Sequence, residues 1–149
     1  MSNQKKIKSS VLEIFAIENG TELELTLVNT GISAGFPSPA MDFDENKIDL
    51  NRHLIKRPAS TFFGRVKGNS MEGAGIYDGN LLIIDKSIKP KSEQIAVCFI
   101  DGEFTIKRIR IEKDCIWLIP ANDSYQAIRV NEDNNFLIWG IVIYVIRAV

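Results

Sequence analysis

Histidine occurs once in this chain, at His53, and cysteine twice, at Cys98 and Cys115. Metal-ligand spacing is therefore absent, because a zinc site needs three or four such side chains brought together. His53 sits in the polar run NRHLIK, where a histidine faces water. Ser-His-Asp and metal-assisted hydrolysis are both poor readings on that count. Phosphate-cradling loops are missing too: GNSMEGAGIYDG is glycine-rich but lacks the Lys-Ser/Thr that closes such a loop. An excess of charge is missing as well, with 18 basic against 19 acidic residues, and 15 of each from Gly35 onward. A neutral body has little sequence-independent attraction for nucleic acid. The most apolar run, FLIWGIVIYVI from Phe136 to Ile146, falls short of the roughly 20 residues that span a bilayer. The start, MSNQKKIKSS, has the charge of a secretory leader without its apolar core. These absences lead us to expect no membrane contact, an intracellular chain and two buried free thiols suited to a reducing cytoplasm.

What is present is a chain of 149 residues with 45% hydrophobic content, enough for one ordinary domain with an appendage. From Gly35 onward it reads as β. Strands are expected at Thr61 to Val66, Leu81 to Asp85, Ile95 to Ile100, Glu103 to Ile111, Ile116 to Ile119, Ala127 to Val130 and Phe136 to Val145. Asp101-Gly102 between two of them is a strong hairpin signal. Many short strands at close spacing indicate a mainly β fold, a compact curled sheet. One helix is expected in DENKIDLNRHLIKRP, capped by Asp44 and ended by Pro58. Residues 1–34 differ: VLEIFAIENGTELELTLVNTG reads as two alternating strands turning at Glu18-Asn19-Gly20. An isolated hairpin is marginal in water, so this arm must rest on the body or on another chain, or stay mobile.

Chemistry is sought first at Ser70, in KGNSMEGAGI, between a strand and a glycine-rich turn. Glycines there leave backbone amides accessible, and such amides can bind a developing oxyanion. The same residues also fit a plain turn. A serine hydroxyl needs a base, and with histidine set aside the remaining choice is a lysine that is neutral near pH 7, which requires desolvation. Strand alternation in EFTIKRIRI puts Thr105, Lys107, Ile109 and Ile111 on one face, and Phe104, Ile106, Arg108 and Arg110 on the other. Lys107 thus shares its face with isoleucines, although a strand lysine ordinarily points to water. Upstream, ISAGFPSPAMDF sets the small pair Ala34-Gly35 before two prolines. It reads either as a linker or as a bond meant to be cut.

Taken together, GNSMEGAGIYDGNLLIID and DGEFTIKRI resemble the Ser-Lys self-cleaving peptidases of the LexA/UmuD family, its UmuD branch in particular. GFPSPAMDFDENKIDLNRHLIKRPASTFF, LIPANDSY and FLIWGIVIYVIRAV extend the likeness over residues 31–149. Asn80 departs from the family pattern, which has Asp after that glycine. The resemblance implies Ser70 as nucleophile, Lys107 as general base, the backbone amides of Ser70 and Met71 as the oxyanion site, and Ala34-Gly35 as the scissile pair. It further implies a removable arm, residues 1–34, ahead of a peptidase and polymerase-accessory domain, residues 35–149. No cofactor or metal is implied. The implied partners are a second copy in a homodimer, a RecA–single-stranded DNA filament that stimulates the cut, and a UmuC-like Y-family DNA polymerase, with no sequence-specific DNA binding. The implied role is SOS mutagenesis in the cytoplasm.

Two rivals belong to other classes. A non-proteolytic binding module for a polymerase or filament would leave Ser70 and Lys107 idle. A repressor would need a helical DNA reader ahead of the cut, which 34 strand-like residues do not supply. Signal peptidase shares the Ser-Lys chemistry but has a membrane anchor, for which no candidate segment is found here.

Overall fold

Strand formation follows the apolar pattern. The computed structural model describes residues 6–8, 12–16, 24–28, 34–36 and 45–149. In chain order the strands are β1 (Lys6–Lys8), β2 (Leu12–Ala16), β3 (Glu24–Val28), β4 (Glu45–Asp49), β5 (Thr61–Val66), β6 (Leu81–Asp85), β7 (Ile95–Ile100), β8 (Glu103–Ile111), β9 (Ile116–Ile119), β10 (Ile128–Val130) and β11 (Phe136–Ile146). A short helix, α1, covers Leu50–Leu54. Nine strands form one antiparallel sheet in the order β1-β2-β5-β6-β11-β7-β8-β9-β10. The strand expectations from Thr61 onward hold to within a residue. So does the β7–β8 hairpin, whose Asp101 and Gly102 both take positive φ, 47° and 92°, as a two-residue turn of this hand requires.

Two apolar clusters hold the sheet. Leu82, Ile84, Val97 and Ile106 belong to one, with Val66, Met71 and Ile76. Ala96, Cys98, Ile109, Leu118 and Ile141 belong to the other. Neighbouring residues such as Val97 and Cys98 divide between them, so the clusters lie on opposite faces of a curled sheet. β11 serves both halves: its first part pairs with β7 and its second with β6. The two pairings overlap at Ile141, next to Gly140, where a Cβ would meet Ile84 Cγ2 at 2.6 Å, so glycine lets the strands approach there.

The chain divides into two units, Met1–Glu18 with Arg57–Val149, and Asn19–Lys56. In the first, β2 lies along β5 with Leu12 opposite Val66 and Ala16 opposite Phe62. In the second, β3 pairs with β4, Leu25 opposite Ile48. The expected hairpin of β2 with β3 is therefore corrected: each takes a partner distant in sequence, and Glu18-Asn19-Gly20 lies outside the described residues. The start of the arm does rest on the body, as an added pair of strands. The expected helix is corrected too. Its first half is strand β4, because pairing with β3 outweighs the weak helical period of Ile48 and Leu50. The true cap is Asp49, whose carboxylate accepts from the amides of Asn51 at 3.1 Å and Arg52 at 3.4 Å; Asp44 lies outside the described residues. The helix stops at Ile55, before Pro58, which instead opens a 3-10 turn at Pro58–Ser60. His53 is exposed on α1, as expected.

Candidate active site

Ser70 follows β5 on a turn that the sequence makes from Gly68 and Asn69. Gly68 takes φ 94°, and its amide donates to Asp78 Oδ1 at 2.8 Å. The buried Asn80 accepts from the Tyr77 amide at 2.9 Å, so at this departure from the family pattern the side chain closes a turn. Met71, 2% exposed, sinks its side chain into the first cluster. That anchor holds the backbone of Ser70–Met71 at the mouth of a groove of about 340 Å³. Lys67, Ser70, Thr105, Lys107, Tyr125, Gln126 and Ile128 are among its lining residues.

Lys107 enters the groove from the middle of β8, where register sets it beside Ala96 of β7. It is 6% exposed. Its Nζ contacts Ser70 Oγ at 3.0 Å, Thr105 Oγ1 at 2.8 Å and its own neighbour's carbonyl, Ile106 O, at 3.0 Å. Among the described residues no carboxylate pairs with it. Burial therefore holds the amine below the ordinary lysine value of 10.5, with a smaller opposing push from the nearby Cys98. Cys98 itself is fully buried, and burial pushes its thiol up to about 12. It stays a neutral thiol on the strand next to the lysine. Cys115 differs from the expectation: it is half-exposed, and its thiol donates to Glu112 Oε2 at 3.6 Å.

The three contacts of Nζ decide what the amine can do. A neutral amine has two protons and one lone pair. Ile106 O can only accept, and Thr105 Oγ1 also accepts, so those two take the protons. The lone pair is left facing the Ser70 hydroxyl. Sequence reasoning misses Thr105 as a functional residue, although alternation alone puts it on the face of Lys107, two positions away.

The candidate oxyanion donors are two backbone amides of this turn. Among the described residues, the amides of Ser70 and Met71 donate to no other group. The structure thus brings together Ser70, Lys107 and the two amides. Ala34, Gly35 and Phe36 form an exposed bend in the other unit; adding a Cβ at Gly35 meets nothing within 4 Å. Among the described residues no helix is long and apolar enough to cross a membrane.

Comparison with known proteins finds similarity over most of the chain. The model of the family described as Peptidase S24-like matches residues 26–143. SamA of Salmonella typhimurium is 46% identical over 99 residues, 66% of this chain and 70% of that protein. ImpA of Escherichia coli is 45% identical over 114 residues, 76% of this chain and 77% of that protein. MucA of Escherichia coli is 38% identical over 113 residues, 74% and 76% of the two chains.

Proposed function

This chain belongs to the Peptidase S24-like family, the Ser-Lys self-cleaving serine peptidases, and on that premise we propose that Ser70 and Lys107 cut the chain's own Ala34–Gly35 bond. The observation that carries the reading is one contact: a buried amine, without a counter-ion among the described residues, 3.0 Å from a serine hydroxyl.

Lys107 takes the proton of Ser70 Oγ as the oxygen forms its bond to the Ala34 carbonyl carbon. The amides of Ser70 and Met71 receive the negative charge on the carbonyl oxygen. The tetrahedral centre then collapses: the bond to Gly35 nitrogen breaks, and Lys107 returns the proton to that leaving amine. Water, deprotonated by the same lysine, then attacks the ester; the bond to Ser70 Oγ breaks, and Lys107 returns the proton to that oxygen. Small side chains at both scissile positions let an extended backbone come close to the serine. The product is a chain beginning at Gly35.

Its likeness to ImpA, MucA and SamA supports an UmuD-like role in SOS mutagenesis. We assign the trimmed chain as the accessory subunit of a UmuC-like error-prone polymerase, acting as a homodimer in the cytoplasm. Exposed Tyr144, Val145 and Ile146 at the end of β11 support a partner surface, and two unpaired cysteines support a reducing compartment. A RecA–single-stranded DNA filament stimulates the cut by favouring docking of the cleavage segment, a population shift that supplies no catalytic group. Incubation of the full chain with activated RecA filament, and separately at alkaline pH, followed by intact-mass measurement, tests the reading. A fragment starting at Gly35 is the expected result. An uncut chain under both conditions leaves only a non-proteolytic binding module.

A further inference from the structure

The segment LIPANDSY, Leu118 to Tyr125, runs from β9 towards β10. Its central residues dock against the turn that carries Ser70. The Ala121 amide donates to Ser70 O at 2.8 Å, and the Gly73 amide donates to Ala121 O at 2.7 Å. Asn122 adds a side-chain bond: its Nδ2 donates to Asn69 O at 2.8 Å. The fit is close, since a Cβ at Gly73 would lie 2.7 Å from Ala121 O.

A peptide unit is a rigid plane in which the trans C=O and N–H point opposite ways. Holding the carbonyl of Asn69 therefore aims the N–H of Ser70, which belongs to the same plane. Holding the carbonyl of Ser70 aims the N–H of Met71 in the same manner. The first of these two holds depends mainly on a side chain, because the other bond to Asn69 O, from the Glu72 amide, is long at 3.4 Å. Asn122 is itself fixed, because its Oδ1 accepts from the Ser124 amide at 2.9 Å and its carbonyl from the Tyr125 amide at 3.1 Å. We infer that Asn122 is a positioning residue: by gripping Asn69 O it aims the Ser70 amide at the carbonyl oxygen under attack. This rests on the assignment of Ser70 as nucleophile.

The test is the first-order rate of self-cleavage of the full chain across alkaline pH, with the thermal midpoint measured in parallel, for wild type, Asn122→Ala and Asn122→Asp. Alanine removes both side-chain bonds. Aspartate keeps the acceptor for Ser124, loses the donor to Asn69 and adds a negative charge. Deleting an oxyanion donor slows comparable enzymes on the order of 10²–10³-fold, and misaiming one has a smaller effect. Both variants are expected to lower the high-pH plateau roughly 10- to 100-fold, with thermal midpoints near wild type. In Asn122→Ala the inflection set by Lys107 stays in place. Wild-type plateaus in both variants overturn the inference, as does a loss explained wholly by a moved inflection. Unfolding of both variants overturns it too, by assigning Asn122 to stability alone. A wild-type chain that never cuts is a different failure, that of the assigned nucleophile.

Discussion

Lys107 and Asp85 are both buried ionisable side chains of one sheet, 6% and 1% exposed, and the fold surrounds them in opposite ways. Asp85, at the end of β6, is ringed by donors. Its carboxylate accepts from Arg57 Nη1 at 2.7 Å, Ser60 Oγ at 2.9 Å, the Ser87 amide at 2.8 Å and Ser87 Oγ at 2.6 Å. Burial alone would raise its pKa, but the Ser87, Arg57 and Ser60 bonds together outweigh that and lower it. Lys107 receives the hydroxyls of Thr105 and Ser70 and a carbonyl, and among the described residues no charge. The lesson is that burial does not by itself make a reactive group. Burial with a full set of partners makes a charged staple, and burial without a counter-ion makes a base.

Removing the base should have the largest effect. Lys107→Ala and Ser70→Ala are each expected to abolish the Gly35 fragment, a loss on the order of 10⁴-fold or more in rate, while the chain stays folded by circular dichroism. Lys107→Arg should be as inactive, since a guanidinium keeps its proton. In wild type the rate should rise with pH through an inflection below 10.5, because only the neutral amine accepts the serine proton. A Lys107→Ala chain that still cuts at alkaline pH would remove the lysine from the mechanism. Next in size is Asp85→Ala, which removes the shared acceptor of the Ser60, Ser87 and Arg57 donors. It should destabilise the fold by about 3 kcal/mol in urea unfolding and leave the cleavage inflection in place. An unchanged urea midpoint would mean the cluster is not a staple.

This contrast is only half visible in the residue order. The faces of β8 and the Asp101-Gly102 turn are local matters, so alternation places Lys107 among apolar neighbours correctly. What alternation omits is closeness across the sheet. Ser70 and Lys107 are 37 positions apart, and their contact depends on a loop from β9–β10 pressing on the nucleophile turn. The partners of Asp85 come from 25 and 28 positions upstream as well as from Ser87, so LLIID reads merely as a strand with a polar end. The arm misleads for the same reason: β2 and β3 each carry a plausible strand pattern, but β5 and β4 are their partners, and a nearby Asn-Gly signal points to the wrong pairing.

Giving Lys107 what Asp85 has should blunt it. Cys98 lies opposite Thr105 in the β7–β8 register, two positions along β7 from Ala96, the partner of Lys107. Cys98→Asp would set a carboxylate beside the amine and raise its pKa. A tenfold stronger hold on the proton removes about a factor of ten from the neutral fraction, so a 10- to 100-fold slowing below the inflection is expected, on the order of what one nearby opposite charge produces, and recovered at higher pH. Cys98→Ala is the control and should leave the profile nearly unmoved. A Cys98→Asp profile coincident with wild type would show that solvent screens the pocket, and the contrast with Asp85 would lose its basis.

The smallest effect is expected where the staple meets water. The Arg57 side chain is 58% exposed, although its partner is 1% exposed. Water can replace the guanidinium, and Ser60 and Ser87 remain as donors, so Arg57→Ala should destabilise by roughly 0.5–1 kcal/mol. Its backbone carbonyl, which accepts from Thr61 Oγ1 at 2.6 Å, is kept in the variant. The pH dependence carries a definite sign. Because the folded pKa of Asp85 is depressed, its contribution is complete above the unfolded value near 3.8 and is lost as pH falls through the folded one. Without Arg57 that folded value rises towards 3.8, so the acid loss of stability begins at a higher pH. Urea midpoints through the acid range read this directly. Should Arg57→Ala prove as damaging as Asp85→Ala, the ion pair and not the serine bonds would be what keeps the carboxylate charged, and the staple would depend on a single exposed arginine.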